Sequence, residues 1–506
     1  MLNKYNVKSP SNKDNDLTAP FPFNLMFKTL IGPEGNSVGY LRPETAQGLF
    51  VNFRRLLDYN QSRMPFAAAQ IGLGFRNEIA PRNGLLRVRE FCMAEIEHFV
   101  NPKDKSHPKF AKVASRVLTL FSSDAQLGTG RTVDMTIGEA VATGVVNNQT
   151  LGYFMARTHM WLEKIGVDPK RMRFRQHLRT EMAHYAADCW DMEIQLSYGW
   201  IECVGHADRA CYDLDQHSKR TGVPMLAAEL LPAPIEINRL IAEPVKRLLG
   251  PKFQKDQKKV IDALEALDND AASKLQKDLE VARVAVVEGF EITPDLVVFK
   301  NEKKNIAEIK YTPSVIEPSY GIGRILYSVL EHSFSQRNGD EQRCVMSFKP
   351  CVAPIKVGIY RLINNAAFTP VINQLRDLLQ ASNVTNRIDS SSGSVGRRYA
   401  RADELGIPFG VTIDFQTLMD STITLRDRDT MSQVRIPISD VMSIILQLVN
   451  ETISWDWVLS RFVVVRQVGD DDDDEEGDGK AQAAKDSNSP TIVETHTRAA
   501  FTRPNK

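Results

Sequence analysis

The order of apolar and polar positions divides the chain into a long N-terminal part and a shorter, regularly alternating C-terminal part. Up to about residue 345, strand-like and helix-like stretches follow one another without a repeated β-α-β order. This pattern predicts an α+β domain over 1–345, built on a mainly antiparallel sheet flanked by helices. Two helix-rich insertions are expected within it, near 101–190 and near 238–310.

A proline-punctuated stretch at 348–354 separates the two parts. After it, strand patterns at 356–360, 384–388 and 409–413 alternate with helix patterns at 371–379 and 398–405. This alternation predicts a smaller α/β domain over 346–466.

Composition and charge add a third region. With 506 residues, 42% of them hydrophobic and 25% charged, the chain is expected to form two or three globular domains. Eight acidic residues lie within 470–478, and we expect 467–506 to be a disordered acidic tail. The remaining chain is mildly basic, which suits a nucleic-acid partner but fits an ordinary mixed surface equally well.

Cysteine spacing and terminal composition indicate the compartment. The six cysteines form no C-x-x-C pair and no zinc-finger spacing, so we expect free thiols, no zinc and a reducing environment. Eighteen consecutive apolar residues occur nowhere, so no membrane partner is expected. The first residues have no secretory or transit pattern, which favours the cytoplasm. A mitochondrial or other organellar form stays open.

A charged hairpin is the most informative local pattern. The sequence Pro81-Arg82-Asn83-Gly84 predicts a turn between two strand-like arms. Strand alternation then groups Arg76 and Glu78 on one face with Arg87, Phe91 and Glu95. Arginines match phosphate oxygens, a carboxylate can accept from an exocyclic amine, and a ring can stack on a base. Periodicity alone leaves a nucleotide site and a solvated face equally open.

A helix is predicted from residue 322 onward. Its apolar stripe has i, i+3, i+4, i+7, i+8 spacing and consists of Ile322, Ile325, Leu326, Val329 and Leu330. Arg324 lies off this stripe at the start of the helix, where the buried face would hold it rigidly.

These segments resemble a known enzyme family. Phe75-Arg76-Asn77-Glu78, a loop and then Arg87 to Phe91 resemble motif 2 of the class II aminoacyl-tRNA synthetases, and 317–324 with its helix resembles motif 3. The stretches 39–48, 87–99, 199–205 and 392–401 resemble the glycyl-tRNA synthetases of the eukaryotic and archaeal dimeric type. The resemblance runs from about residue 4 to 465. It implies a class II antiparallel sheet, an anticodon-binding domain over 346–466, and ATP-dependent ligation of glycine to its tRNA through a glycyl-adenylate.

The resemblance also implies roles for individual residues. Arg76 and Arg324 would be catalytic, and Glu202 would help to place Mg²⁺ through ATP, which is a substrate; no organic cofactor is expected. The residues implied in ATP binding are Arg76, Asn77, Glu78, Arg87, Val88, Phe91, Glu202, Cys203 and Arg324. Those implied in glycine binding are Glu44, Glu95, Glu317, Pro318 and Ser319. Arg397, Arg398 and Arg401 would contact tRNA, with ordinary exposed helix arginines as a near-equal alternative.

One departure from the family pattern leaves alternatives open. The long helix and strand of motif 1, which build the class II dimer, are not found before Gly39. We therefore expect the N-terminal part to be missing and the intact protein to be a homodimer. A non-catalytic nucleic-acid-binding relative and an inactive fragment of the synthetase are the alternatives. The retained Arg76, Glu78, Glu95 and Arg324 favour an enzyme.

Overall fold

A computed structural model describes residues 7–9, 11, 14–17, 23–337 and 340–465. The tail predicted at 467–506 lies outside these residues. Within the described ranges, no helix combines the length and apolar character needed to cross a bilayer.

The strands occur along the whole described chain. In order they are β1 Lys28–Ile31, β2 Ser37–Tyr40, β3 Phe66–Phe75, β4 Glu90–Val100, β5 Val117–Phe121, β6 Val133–Thr136, β7 Met172–Gln176, β8 Asp188–Leu196, β9 Gly199–Ala210, β10 Ala227–Pro244, β11 Ala285–Val287, β12 Phe290–Ile292, β13 Val297–Tyr311, β14 Ser314–Gly321, β15 Phe334–Arg337, β16 Asp340–Met346, β17 Val357–Arg361, β18 Asn386–Asp389, β19 Phe409–Ile413, β20 Thr422–Asp427, β21 Gln433–Pro437 and β22 Val463–Val465.

The helices are mostly short and lie between these strands. In order they are α1 Ala46–Val51, α2 Phe53–Tyr59, α3 Ser123–Leu127, α4 Ile137–Ala142, α5 Gln149–Lys164, α6 Tyr212–Thr221, α7 Lys246–Phe253, α8 Gln257–Glu265, α9 Asn269–Ala282, α10 Ile322–Ser333, α11 Thr369–Ala381, α12 Val395–Glu404, α13 Phe415–Asp420, α14 Ile438–Val449 and α15 Trp455–Arg461.

An eight-stranded sheet organises the N-terminal part. Its order is β3-β4-β14-β9-β8-β7-β5-β6. Every neighbouring pair is antiparallel except β5 with β7. The predicted α+β architecture with a mainly antiparallel sheet is confirmed. The 101–190 segment carries α3, α4 and α5, and it also contributes β5, β6 and β7 to the sheet.

The main core lies between this sheet and the helices that cover it. Trp190, Phe174, Leu151 and Met155 are fully buried there. Helix α5 enters this core with its N-terminus capped, because the Asn148 side chain accepts a hydrogen bond from the Leu151 amide at 2.9 Å. The helix thereby supports the strands that carry the residues of the site.

The apolar stripe predicted for α10 is partly wrong. Ile325 and Val329 are buried as expected, but Leu326 is 51% exposed and Leu330 is 38% exposed. Ser328 is buried in their place, and its hydroxyl donates to the Arg324 carbonyl at 2.8 Å. A small hydroxyl that bonds its own helix can lie against the sheet, so the buried face is narrower than the periodicity suggested.

The charged hairpin is shorter than its sequence pattern suggested. Strand β3 ends at Phe75 and β4 begins at Glu90, so Arg76 and Glu78 project from the connecting loop. The predicted turn is present, with φ of 60° at Asn83 and 57° at Gly84. The β3–β4 pairing continues into this loop through main-chain hydrogen bonds that the Arg76 and Arg82 amides donate.

The 238–310 segment combines strands and helices. Strands β10 and β13 form a two-stranded antiparallel ribbon that runs from Ala227 paired with Tyr311 to Pro244 paired with Val297. Between them, α7, α8 and α9 enclose a small separate core that includes Leu249, Val260 and Leu279. The middle of this segment is therefore helical, and its two ends are strands.

The C-terminal part is built on a six-stranded sheet with the order β18-β17-β19-β20-β21-β22. Strands β17, β18 and β19 are parallel, as the α/β alternation predicted, and α11 and α12 connect them. The antiparallel strands β20, β21 and β22 extend this sheet and were not predicted. Lys356 holds the proline-punctuated stretch 348–354 against this domain, since its ammonium donates to three carbonyls, those of residues 350, 351 and 353.

Candidate active site

One large cavity opens on the face of the eight-stranded sheet and has a volume of about 520 Å³. Strands β4, β9 and β14, the loop after β3 and the start of α10 form its walls. The sequence-predicted residues that line it are Glu44, Arg76, Glu78, Arg87, Val88, Phe91, Glu95, Glu202, Cys203, Glu317, Ser319 and Arg324. Residues from distant parts of the chain are thus brought to one site.

The basic end of the cavity is built around Phe91 and Arg324. The Arg76 guanidinium lies 5.5 Å from the centre of the Phe91 ring. This ring rests on the backbone of Gly74, where an added Cβ would lie only 2.7 Å from the ring edge. Arg324 donates to the Leu86 carbonyl at 3.1 Å and to the Glu202 carbonyl at 2.7 Å. These contacts hold two guanidinium groups and one aromatic face toward the same space.

The acidic end is organised by Glu95. One oxygen of this buried carboxylate accepts from the amides of Thr45 at 2.5 Å and Ala46 at 2.9 Å, and also from the Thr45 hydroxyl. The other accepts from the Ser319 hydroxyl at 3.0 Å. Glu95 therefore ties the start of α1 to β14, and these hydrogen bonds hold its carboxyl group rigidly.

Arg209 is the central cation of this acidic end, and it was not among the sequence-predicted residues. Its guanidinium donates to Asp213 at 2.7 Å and to Glu317 at 2.6 Å, and it lies 3.7 Å from Glu44. The rings of Tyr185 and Phe50 flank it at 4.3 and 5.3 Å. The available sequence signal was an arginine near the end of a strand pattern with an aspartate, Asp213, four residues later. This spacing is common on exposed helices, so it did not identify Arg209 as a site residue.

Burial changes the protonation of two glutamates beside Arg209. Burial raises the pKa of Glu317 to about 7, against the opposing pull of Arg209 and with the nearby Glu95 adding to the rise. The pKa of Glu97 is raised well above its usual range, again mainly by burial. Both carboxyl oxygens of Glu97 lack a hydrogen-bond partner among the described residues. Burial without hydrogen-bond partners thus favours the neutral form of Glu97 over the charged form.

Two predicted residues direct their side chains away from the cavity, and a third lies at its border. The side-chain amide of Asn77 donates to the Asn24 carbonyl at 3.3 Å. Pro318 alternates with Glu317 and Ser319 on β14, which places it on the opposite face. Cys203 borders the cavity, but its thiol lies 3.7 Å from the Ser328 hydroxyl, toward α10.

The three predicted tRNA-contacting arginines separate into two kinds. Arg398 is only 4% exposed, and its guanidinium donates to the Arg361 and Leu362 carbonyls at 2.7 and 3.4 Å. Its role in the structure is to join α12 to β17. Arg397 and Arg401 are exposed, and Arg401 pairs with Asp389 at 3.2 Å.

Two family models match the chain. The model described as tRNA synthetase class II core domain (G, H, P, S and T) matches residues 30–333. The model described as anticodon binding domain matches residues 351–448. The first match contains the whole cavity, and the second covers most of the six-stranded sheet.

Curated relatives match over most of the chain. A glycine–tRNA ligase of Caenorhabditis elegans is 53% identical over 461 residues, which cover 90% of this chain and 62% of that protein. A glycine–tRNA ligase of Bombyx mori is 52% identical, with 91% of this chain and 63% of that protein covered. A putative glycine–tRNA ligase of Schizosaccharomyces pombe is 48% identical, with 91% and 72% covered. The chain thus spans about three fifths of the length of the first two relatives.

Proposed function

Since this chain belongs to the class II tRNA synthetases, and within them to the glycine–tRNA ligase family, we propose that it activates glycine with ATP and transfers the glycyl group to the tRNA for glycine. The observation that carries this proposal is the single cavity with an acidic end around Arg209 and a basic end around Arg76 and Arg324. Such a cavity offers one place for a small ammonium and another for phosphates.

The basic end fits ATP. Arg76, Arg87 and Arg324 present guanidinium groups that match phosphate oxygens, and Phe91 presents a ring face for the adenine. Glu78 would accept from the adenine amino group. Arg76 lies over Phe91 in this structure, so ATP binding would move this guanidinium off the ring and onto the α-phosphate.

Glu202 fits Mg²⁺ bound with ATP. Its carboxylate oxygens lie on the cavity wall beside Arg324, and its side chain is 55% exposed. Hard carboxylate oxygen and retained water are the ligands that this ion prefers, and the bound ion would neutralise phosphate charge.

The acidic end fits the ammonium of glycine. Glu44 and Glu317 flank Arg209, and Glu95 is held by hydrogen bonds between Ser319 and α1. A group of carboxylates around one arginine attracts a second cation, because the like charges of the carboxylates repel one another. Alanine would be rejected by the rigid walls that Glu95 and Ser319 form, since charge alone cannot distinguish two amino acids.

The reaction itself needs no covalent bond to the protein. The glycine carboxylate attacks the α-phosphorus of ATP and pyrophosphate leaves, which gives glycyl-adenylate. A terminal ribose hydroxyl of tRNA then takes the glycyl group and AMP leaves. The described side chains contribute by positioning the two substrates and by neutralising charge on the phosphates in the transition state.

The remaining expected partners concern other surfaces. The six-stranded domain would bind the anticodon arm, with Arg397 and Arg401 as its exposed basic contacts. A second copy of this chain would cover the edge strand β3 and the β1–β2 hairpin, where Ile71 is 75% and Leu30 is 63% exposed. We propose a cytoplasmic location for the resulting homodimer.

Glycine-dependent exchange of pyrophosphate into ATP tests the proposed activity, with alanine and serine as control amino acids. Exchange with glycine alone supports both activity and specificity. Exchange with all three amino acids would contradict the proposed glycine site. No exchange from a folded chain that still binds ATP would indicate that this length of chain is a fragment without the activity.

A further inference from the structure

A second group of side chains on the cavity wall is not used by the proposed reaction. His177, Cys189 and Asp191 each offer one ligand atom, and these three atoms lie within 4.8 Å of one another. All three residues line the same cavity as the proposed substrate sites. Nitrogen, sulfur and carboxylate oxygen together form a donor set that first-row transition ions bind well.

Rigid strands hold this group in place. Cys189 and Asp191 are two residues apart on β8, so they share one face of the sheet. His177 directly follows β7, and its amide donates to the Cys189 carbonyl at 2.9 Å. Backbone pairing therefore fixes the relative positions of all three residues, and ligand sites on strands are more precise than sites on loops.

The histidine ring is oriented but not fully used. Its Nε2 lies 2.8 Å from an Asp191 carboxylate oxygen. Its Nδ1 is buried without a hydrogen-bond partner among the described residues. Nε2 thus already faces the carboxylate with which it would share an ion, and the contact with Asp191 orients the ring for binding through this nitrogen.

The distances suit a small tetrahedral ion after modest movement. Zinc binds nitrogen and oxygen at about 2.0–2.2 Å and thiolate sulfur at about 2.3 Å, which places tetrahedral donors roughly 3.3–3.6 Å apart. The present separations of up to 4.8 Å reach that range when side-chain rotations bring the donor atoms closer by roughly 1.2–1.5 Å.

We propose that His177, Cys189 and Asp191 form a three-ligand site for a transition ion of the zinc class, with its fourth position open to the cavity. Cys189 binds as the thiolate and releases its proton to solvent when the ion enters. The proposal goes beyond the proposed activity, because it concerns neither the Mg²⁺ that accompanies ATP nor the glycine site. The expectation of no zinc rested on cysteine spacing, and the spacing His-x₁₁-Cys-x-Asp matches no zinc-finger pattern.

Cobalt(II) binding to the metal-stripped chain, without ATP or glycine, tests this site. We expect one cobalt ion that is lost with Cys189→Ser and His177→Gln, a thiolate-to-cobalt charge-transfer band, and visible bands of tetrahedral intensity. Cys92→Ser is the matched control, since Cys92 is also a half-buried thiol on the cavity wall, and it should keep the ion and both bands. Circular dichroism of each variant confirms folding.

Three results with cobalt would overturn a site at these side chains. The first is cobalt bound without a thiolate band, and the second is a band that survives Cys189→Ser in a folded protein. The third is displacement of cobalt by a large excess of Mg²⁺, which would place the ion on hard oxygens such as Glu202. Since cobalt binding is measured without ATP or glycine, its result can be interpreted even if the proposed aminoacylation fails.

Discussion

Glycine affinity should depend on pH through Glu317. This buried carboxyl, 6% exposed, has its pKa raised to about 7 by burial, and it lies 2.6 Å from Arg209 in the acidic end. A bound ammonium favours the ionised carboxylate. Glycine binding must therefore remove the proton from Glu317 wherever the carboxyl is protonated before glycine arrives.

The raised pKa sets the direction and size of this effect. Below this pKa Glu317 is protonated, so each unit by which the pH falls weakens glycine binding. Above this pKa Glu317 is ionised, and glycine affinity no longer changes with pH through this group. With a pKa of about 7, the ionised fraction rises from roughly one tenth at pH 6 to nine tenths at pH 8. Glycine affinity should thus rise about tenfold over this range, which corresponds to about 1.4 kcal/mol.

Equilibrium dialysis of labelled glycine at pH 6, 7 and 8 measures this effect directly. The KM for glycine in pyrophosphate exchange should fall in parallel, whereas the KM for ATP should change less than about twofold, because Glu317 lies at the opposite end of the cavity. Glu317→Gln should bind glycine more weakly at pH 8 and show a flatter profile. A wild-type affinity that is constant or falls as pH rises would refute the assignment of Glu317 to the ammonium.

Other variants test the remaining parts of the site and fold. Arg209→Met leaves buried carboxylates uncompensated and should cost about 3–5 kcal/mol in urea unfolding. Without the arginine the folded-state pKa values of these acids rise, so the loss should be larger at pH 8 than at pH 5.5; an equal loss would contradict a stabilising ion pair. Arg324→Ala should lower pyrophosphate exchange by about 10²–10³ with unchanged tRNA binding in a filter assay; a tRNA-binding defect alone would contradict its role. Ile325→Ala should cost about 2–5 kcal/mol, whereas the neighbouring Leu326→Ala should cost under about 0.5 kcal/mol; reversed values would show that α10 packs on its other face.

The parts of the fold that sequence could predict are those with strong local periodicity. The alternation along β4 correctly placed Phe91 and Glu95 on one face, and the Asn83-Gly84 turn followed from residues that tolerate positive φ. The β-α-β-α-β order of 356–413 also followed from periodicity, because parallel strands and their connecting helices each have a distinct period. The antiparallel strands β20–β22, which complete this sheet, showed no comparable contrast between strand and helix periods and were not predicted.

The acidic end of the site could be only partly predicted. Resemblance to a family brought Glu44, Glu95 and Glu317 together, but it did not identify Arg209, because the contacts that define its role come from separate elements of the fold. The same reason explains Leu326, which tertiary packing leaves at the cavity although its spacing fits the buried stripe. Periodicity describes one element at a time, whereas burial of a charge is decided by its neighbours.

The arrangement at Glu95 bears on how so small a substrate could be selected. Carboxylates around an ammonium attract every amino acid, so the charge of this site gives affinity without specificity. A single methyl group is usually worth only about 1–3 kcal/mol in a pocket that can yield. Glu95 cannot yield easily, because α1 amides, the Thr45 hydroxyl and Ser319 fix both of its oxygens. Any movement to admit a methyl group would break these buried hydrogen bonds, so the bonds that position Glu95 would also make the wall rigid enough to exclude alanine.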